Sequence, residues 1–201
     1  MTVKFCLVMP RSVCSTCQLP EKACICQLVA ETKPMHYSGE LHILQHPLEQ
    51  NHSKNTARLV KQLLPQTIIW PGESESDFAY LKAKIAQEPQ AWGCIYPAHD
   101  SAIQTGTNPP LPTTRLLFID ATWRKARKIW HLNPWLHSMP CYRLSNISDA
   151  QYRIRKNHAD HQLSTLEAVA CSLSSCTDVT PLLDLLHRFQ LHFENIQPRH
   201  N

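Results

Sequence analysis

Glycine is scarce in this chain, with four in 201 residues, and neither a G-x-G-x-x-G nor a P-loop pattern occurs. Ordinary dinucleotide and nucleoside-triphosphate sites, which cradle phosphates in such loops, are therefore not expected. No apolar run approaches the roughly 20 residues that cross a bilayer, and the N-terminal FCLVM is too short for a signal-peptide core. The expected compartment is the cytosol. Internal repeats and low-complexity tracts are also missing. Negative charge is nearly absent from one stretch: between Arg115 and His158 only Asp120 and Asp149 oppose Arg115, Arg124, Lys125, Arg127, Lys128, Arg143, Arg153, Arg155 and Lys156.

What remains is a soluble globular composition, 43% hydrophobic and 18% charged, with a net charge of +4. The length suits one main domain with a small appendage. The local basic surplus is interleaved with Trp123, Trp130, Trp135, Tyr142 and Tyr152, a pattern suited to a polyanion that also offers bases for stacking. Nucleic acid fits that description. A solvated basic face over core aromatics is the plain alternative.

Nine cysteines in a reducing compartment should be reduced or metal-bound. Cys14, Cys17, Cys24 and Cys26 form C-x2-C-x6-C-x-C, and four clustered thiolates match the tetrahedral preference of zinc. An iron–sulfur cluster is the weaker reading. Four thiolates leave no open coordination position, so this metal is expected to be structural.

The centre of the chain is Leu116 to Trp130, LLFIDATWRKARKIW. Its four apolar residues read as a buried strand that ends at Asp120, followed by a short basic helix capped by Asp120 or Thr122. Around it, Glu40–Gln45, Thr67–Trp70, Trp92–Tyr96 and Cys141–Leu144 read as strands. Asn55–Leu64 and Ser76–Gln87 read as helices, and Ser101–Thr114 as a loop. Asn133-Pro134 starts a short helical turn, and Tyr152–Lys156 is expected to lie over the site. Ser164-Thr165-Leu166-Glu167 is a capping-box pattern opening a helix, and Thr180-Pro181 opens the last one. Alternating strands and helices predict an α/β fold, a mainly parallel sheet with helices on both faces. Residues 1–39 are expected to form an N-terminal zinc knuckle and linker, and residues 40–201 the α/β catalytic domain.

These motifs in this order resemble the DTW-domain family, the tRNA-uridine aminocarboxypropyltransferases. The resemblance rests on the four N-terminal cysteines, QHPLE at Gln45 to Glu49 with Asn55-Thr56, DATW at Asp120 to Trp123, Asn133-Pro134, the Tyr152, Arg153 and Arg155 stretch, and STLEA at Ser164 to Ala168. It implies an enzyme using S-adenosylmethionine, on a knotted fold related to SPOUT-type RNA methyltransferases. It implies transfer of the 3-amino-3-carboxypropyl group to N3 of a tRNA uridine, position 47 of the variable loop in bacterial members. Within that reading Asp120 is the candidate general base. Thr122, Trp123, Ser164, Thr165 and Glu167 are candidate cofactor contacts, and Arg124, Lys125, Arg153 and Arg155 candidate tRNA contacts. The rival readings are an RNA methyltransferase with the same cofactor and a non-enzymatic zinc-containing RNA-binding protein.

Overall fold

The computed structural model describes residues 12–97, 105–106, 109, 114–144 and 163–196. Strands β1 (Leu41–Gln45), β2 (Ile68–Pro71), β3 (Trp92–Ile95), β4 (Thr105–Gly106), β5 (Arg115–Asp120) and β6 (Cys141–Tyr142) form one sheet. Its order is β2-β1-β5-β3-β6-β4, and every adjacent pair is parallel. The helices are α1 (Cys26–Ala30), α2 (Ala57–Leu63), α3 (Ala79–Gln87), α4 (Trp123–Leu132), α5 (Thr165–Leu173) and α6 (Thr180–Ile196).

A strand covered on both faces must be apolar at successive positions, which is why β1 and β5 read as continuous runs. Leu41, Ile43, Leu116 and Phe118 pack on one face with Leu59 and Val60 of α2, Leu166 and Val169 of α5, and Leu182 and Leu185 of α6. Leu44, Leu117 and Cys94 pack on the other with Leu81 of α3 and Ile129 and Trp130 of α4. The expected two-sided parallel sheet is therefore present. The cysteine-rich segment joins the first face, where Leu19 and Ile25 are buried in the same apolar cluster as α2 and α6. Arg188 of α6 ties it down, donating to the Leu28 carbonyl and to Thr32 Oγ1 and pairing with Glu31.

Several boundaries depart from the sequence expectation for local chemical reasons. The helix expected from Ser76 starts at Ala79, because Asp77 Oδ2 accepts from the amides of Glu73 and Ser74 and from Ser74 Oγ, closing a turn first. The one expected from Asn55 starts at Ala57, with Asn55 Oδ1 accepting from the Arg58 amide as a cap does. The stretch expected to be all loop contains β4, which pairs with β6. Cys141 stands in register beside Cys94. Tyr152–Lys156 lies outside the described residues.

Among the described residues no helix is long and apolar enough to cross a membrane.

Candidate functional site

Side-chain alternation decides where Asp120 points. It shares the face of Leu116 and Phe118, toward α2 and α5, whereas α4 packs on the opposite face. Asp120 therefore does not cap α4, contrary to one sequence expectation. Thr122 holds the N-cap position there with extended backbone but makes no side-chain cap bond.

Asp120 is instead a junction. Gln45, its register partner at the end of β1, donates from Nε2 to Oδ2 at 2.8 Å. Asn55 Nδ2 donates to the same oxygen at 2.6 Å, and Thr165 Oγ1 donates to Oδ1 at 2.5 Å. Asp120 is 7% exposed. Among the described residues its side-chain partners are neutral donors and no cation pairs with it. Oδ1, with a single donor among the described residues, retains room for one more proton or ligand contact. The main chain joins in as well: the His46 amide donates to the Asp120 carbonyl at 3.1 Å.

The start of α5 completes this corner. Ser164 and Glu167 form the predicted capping box: the Ser164 amide and hydroxyl both donate to Glu167 Oε2, and the Glu167 amide donates to Ser164 Oγ. Glu167 is thus engaged in fixing the helix start. The Leu166 amide reaches Thr56 Oγ1 at 3.4 Å. Thr165 is brought to Asp120 directly, and Ser164 with Glu167 sits in the same turn. Thr122 and Trp123 follow Asp120 in the chain, exposed and outside its hydrogen-bonded cluster, with Trp123 44% exposed.

On the α4 side, acids from neighbouring loops meet part of the basic face. Lys125 pairs with Glu49 at 2.9 Å and Lys128 with Glu73 at 2.7 Å. His46 takes a backbone bond from Leu48 on Nδ1, which assigns the proton to Nε2, and Nε2 contacts Glu73 Oε1 at 2.9 Å. The Lys128 contact first, and His46 after it, hold the Glu73 carboxyl below its ordinary pKa. Buried Asn133 anchors this side by donating to the Glu73 and Ile129 carbonyls and accepting from Trp135 Nε1. Arg124 is exposed without an ion-pair partner among the described residues, while Lys125 is already paired. Arg153 and Arg155 lie outside the described residues. A shallow depression of about 500 Å³ on the outer side of α3, lined by Glu75, Ser76 and Lys82 among others, includes none of the groups that meet at Asp120.

Gln45, Asn55, Thr56 and Glu49 gained no individual role from sequence. The available signal was a polar residue closing an apolar strand, followed by an Asn-Thr pair at a helix start.

The Sγ atoms of Cys14, Cys17, Cys24 and Cys26 all lie within 4.8 Å of one another. Cys14 and Cys26 are separated by 3.6 Å and Cys17 and Cys24 by 3.8 Å. A tetrahedral site with metal–sulfur bonds of about 2.3 Å has edges of about 3.8 Å, so the set could hold such an ion. Backbone amides of Cys17 and Thr16 bring the Cys14 thiol down to about 6, whereas burial and the neighbouring thiols push Cys26 up to about 12. Four sulfurs this close do not ionise together without a cation among them.

The parallel sheet with helices on both faces makes the chain an α/β protein, a class in which ligands commonly bind beyond the carboxyl ends of the strands, where Asp120 stands. More narrowly, it belongs to the DTW-domain family, whose profile matches residues 11–195. The tRNA-uridine aminocarboxypropyltransferase 2 of Macaca fascicularis is 30% identical over 169 residues, 82% of this chain and 56% of that protein. The proteins of the same name from Mus musculus and Drosophila melanogaster are 28% and 29% identical, over 90% and 82% of this chain. This chain spans 64% of the mouse relative and 66% of the fly one, so a third or more of each of the three relatives has no counterpart in the match. No solved structure matches the chain.

Proposed function

We propose that this protein is a tRNA-uridine aminocarboxypropyltransferase that moves the 3-amino-3-carboxypropyl group of S-adenosylmethionine to N3 of a tRNA uridine, in the variable loop. The observation that carries the reading is the Asp120 junction. The residues that bond around it, Gln45, Asn55 and Thr165, come from the family motifs, and they hold a carboxylate with no cation beside it among the described residues. Such a charge suits both tasks of the reaction: accepting the N3 proton and facing a sulfonium.

The co-substrate supplies a sulfonium-activated γ-carbon; the N3 lone pair forms a bond to it while the carbon–sulfur pair stays on sulfur, so neutral methylthioadenosine leaves. Asp120 Oδ1 takes the N3 proton. Gln45, Asn55 and Thr165 orient that carboxylate, and its fixed position supplies the in-line geometry an alkyl transfer needs. Ser164 and Thr165, at a helix start fixed by Glu167, offer donors to the methionine carboxylate or ribose. Thr122 and the exposed Trp123 are assigned to the co-substrate, the indole as a stacking surface. Arg124, Lys125, Arg153 and Arg155 are assigned to tRNA phosphates, with Lys125 exchanging Glu49 for phosphate on binding. The four cysteines hold a structural zinc, supported by the fit of their separations to a zinc–sulfur tetrahedron. The relation to the knotted SPOUT-type methyltransferases and a cytoplasmic location belong to the same proposal.

The test is to incubate the purified protein with S-adenosylmethionine and unmodified tRNA. Methylthioadenosine should appear in step with modified uridine. Release of S-adenosylhomocysteine instead would replace this reading with a methyltransferase, and absence of cofactor binding by calorimetry with a non-enzymatic RNA-binding protein.

A further inference from the structure

Helix α4 is charged against its own stability. Arg124 and Lys125 stand in its first turn, at the positive end of the peptide dipole, where acids are favoured and cations are not, and no acid lies anywhere in Trp123–Leu132. Arg124 also repels Arg127 three residues on and Lys128 four on, the spacings at which helical side chains become neighbours. Two of these four cations are offset from outside the helix, Lys125 by Glu49 at 2.9 Å and Lys128 by Glu73 at 2.7 Å. Arg124 and Arg127 meet no acid among the described residues. Arg127 donates from Nε to His131 Nε2 at 3.5 Å, one turn further on, which leaves both of its Nη groups without an acceptor among the described residues.

Ala126, Ile129 and Trp130 turn the inner side of α4 to the core. The helical repeat therefore puts Arg124, Arg127, Lys128 and His131 together on the outward face, where all four are exposed. Charges that cost a helix stability and gain no partner in the fold are expected at functional sites. The sign of this face selects a polyanion, and its spacing selects a regular one: Arg127 and His131 lie about 4.5 Å and about 10 Å beyond Arg124 along the axis, steps comparable with the separation of neighbouring phosphates in one strand. The face also has a direction. It begins just past Asp120, at the carboxyl end of β5, and leads away from it. We infer that the outward face of α4 is the track for the sugar-phosphate backbone beside the target uridine, with the Arg127 guanidinium a phosphate fork next to that of Arg124 and His131 orienting it through Nε. The inference rests on the proposed choice of RNA as substrate and adds Arg127 and His131 to the residues that hold it.

The experiment titrates the full chain with fluorescent unmodified tRNA over a range of salt, without S-adenosylmethionine, as wild type, Arg127→Gln, the double variant Arg124→Gln/Arg127→Gln, and Lys82→Gln on the outer side of α3. Arg127→Gln should lower the salt slope of binding by about one and the double variant by about two. Lys82→Gln should keep the wild-type slope. Neither arginine variant should lower the melting temperature, because the charges removed are unfavourable to the helix; a fall in both would overturn the premise. Unchanged slopes in the arginine variants, or an equal loss in Lys82→Gln, would overturn the track. Unchanged slopes together with binding to vesicles of equal phosphatidylcholine and phosphatidylserine, lost in the double variant, would give this face to a lipid surface instead. Because the titration contains no co-substrate, it is independent of the reaction. Reduced slopes in a protein that releases S-adenosylhomocysteine would keep the track and remove the proposed transfer, and unchanged slopes in one that releases methylthioadenosine would do the reverse.

Discussion

The two ends of the parallel sheet both carry polar clusters, and the clusters are built on opposite electrostatic plans. At the amino ends of the strands, Glu40 accepts from Arg115 and Lys84 and contacts His42, while Arg115 also reaches Glu88. His42 lies buried between Trp70 and Trp92, accepting from Trp70 Nε1, and both Lys84 and Arg115 approach the Trp92 ring at 5.6 Å. Acids there meet cations, and aromatic rings close the cluster. At the carboxyl ends, Asp120 meets only neutral donors among the described residues and is bordered in sequence by exposed Thr122 and Trp123. A paired charge stabilises its surroundings and has little left to offer a ligand, while a charge oriented by neutral dipoles keeps its field available. The parallel arrangement explains why the second plan falls at this end, where strand ends and the start of α5 converge.

The largest expected contrast comes from replacing one residue of each cluster. Asp120→Asn removes the proposed proton acceptor but keeps the shape, because its amide oxygen can face Gln45 and Asn55 and its NH2 can donate to a reoriented Thr165 hydroxyl. Turnover should fall by about 10²-fold to 10⁴-fold with the fold retained by circular dichroism. His42→Gln, at the other end, should leave turnover at neutral pH unchanged. Equal losses in the two variants would erase the distinction.

The amino-end cluster should show itself in the pH dependence of stability. Burial, the largest influence on His42, takes its pKa down to about 4 from an ordinary 6.5, against a smaller opposing pull from Glu40. The unfolded chain therefore binds the extra proton first. The His42 contribution is complete above about pH 6.5, is lost as pH falls toward 4, and amounts to roughly 3 kcal/mol. Thermal unfolding between those limits should be less pH-sensitive in His42→Gln than in wild type. An identical pH profile would mean that His42 is not held neutral.

A smaller effect is expected from Thr165→Val, which removes the one donor to Asp120 Oδ1 among the described residues. A hydrogen bond to a carboxylate with some solvent access is worth about 1–2 kcal/mol, or about 2–4 °C of melting temperature per kcal/mol for a chain of this size. Turnover should fall more than that stability loss implies, because the freed carboxylate can rotate. Normal turnover with lowered stability would assign Thr165 to the fold alone. Smallest of all, Arg124→Ala should leave stability and cofactor affinity unchanged and lower the salt slope of tRNA binding by about one. An unchanged slope would remove Arg124 from the tRNA contact surface.

The parts of this design legible in the sequence are those whose partners are close along the chain. Four cysteines within one short segment announce a cluster, and Ser164 with Glu167 announces a helix start, because each motif carries its own partners. The Asp120 junction joins residues 75, 65 and 45 positions apart, and no local pattern links Gln45, Asn55 and Thr165 to it. Its position at the end of an apolar strand was readable. Its direction was not, since choosing between the α4 face and the α5 face requires knowing which helices cover which side. The delayed start of α3 has a similar origin, as the side chain of Asp77 closes a turn that helical periodicity does not register.

The most direct test of the account is a double-label transfer. S-adenosylmethionine labelled separately in its methyl group and in its carboxyl carbon is given to wild type, Asp120→Asn and His42→Gln with unmodified tRNA. The account predicts carboxyl label in tRNA and methyl label in the released nucleoside for wild type and His42→Gln, and neither transfer above a few per cent of that rate for Asp120→Asn. Methyl label in tRNA, or undiminished carboxyl transfer by Asp120→Asn, would contradict it.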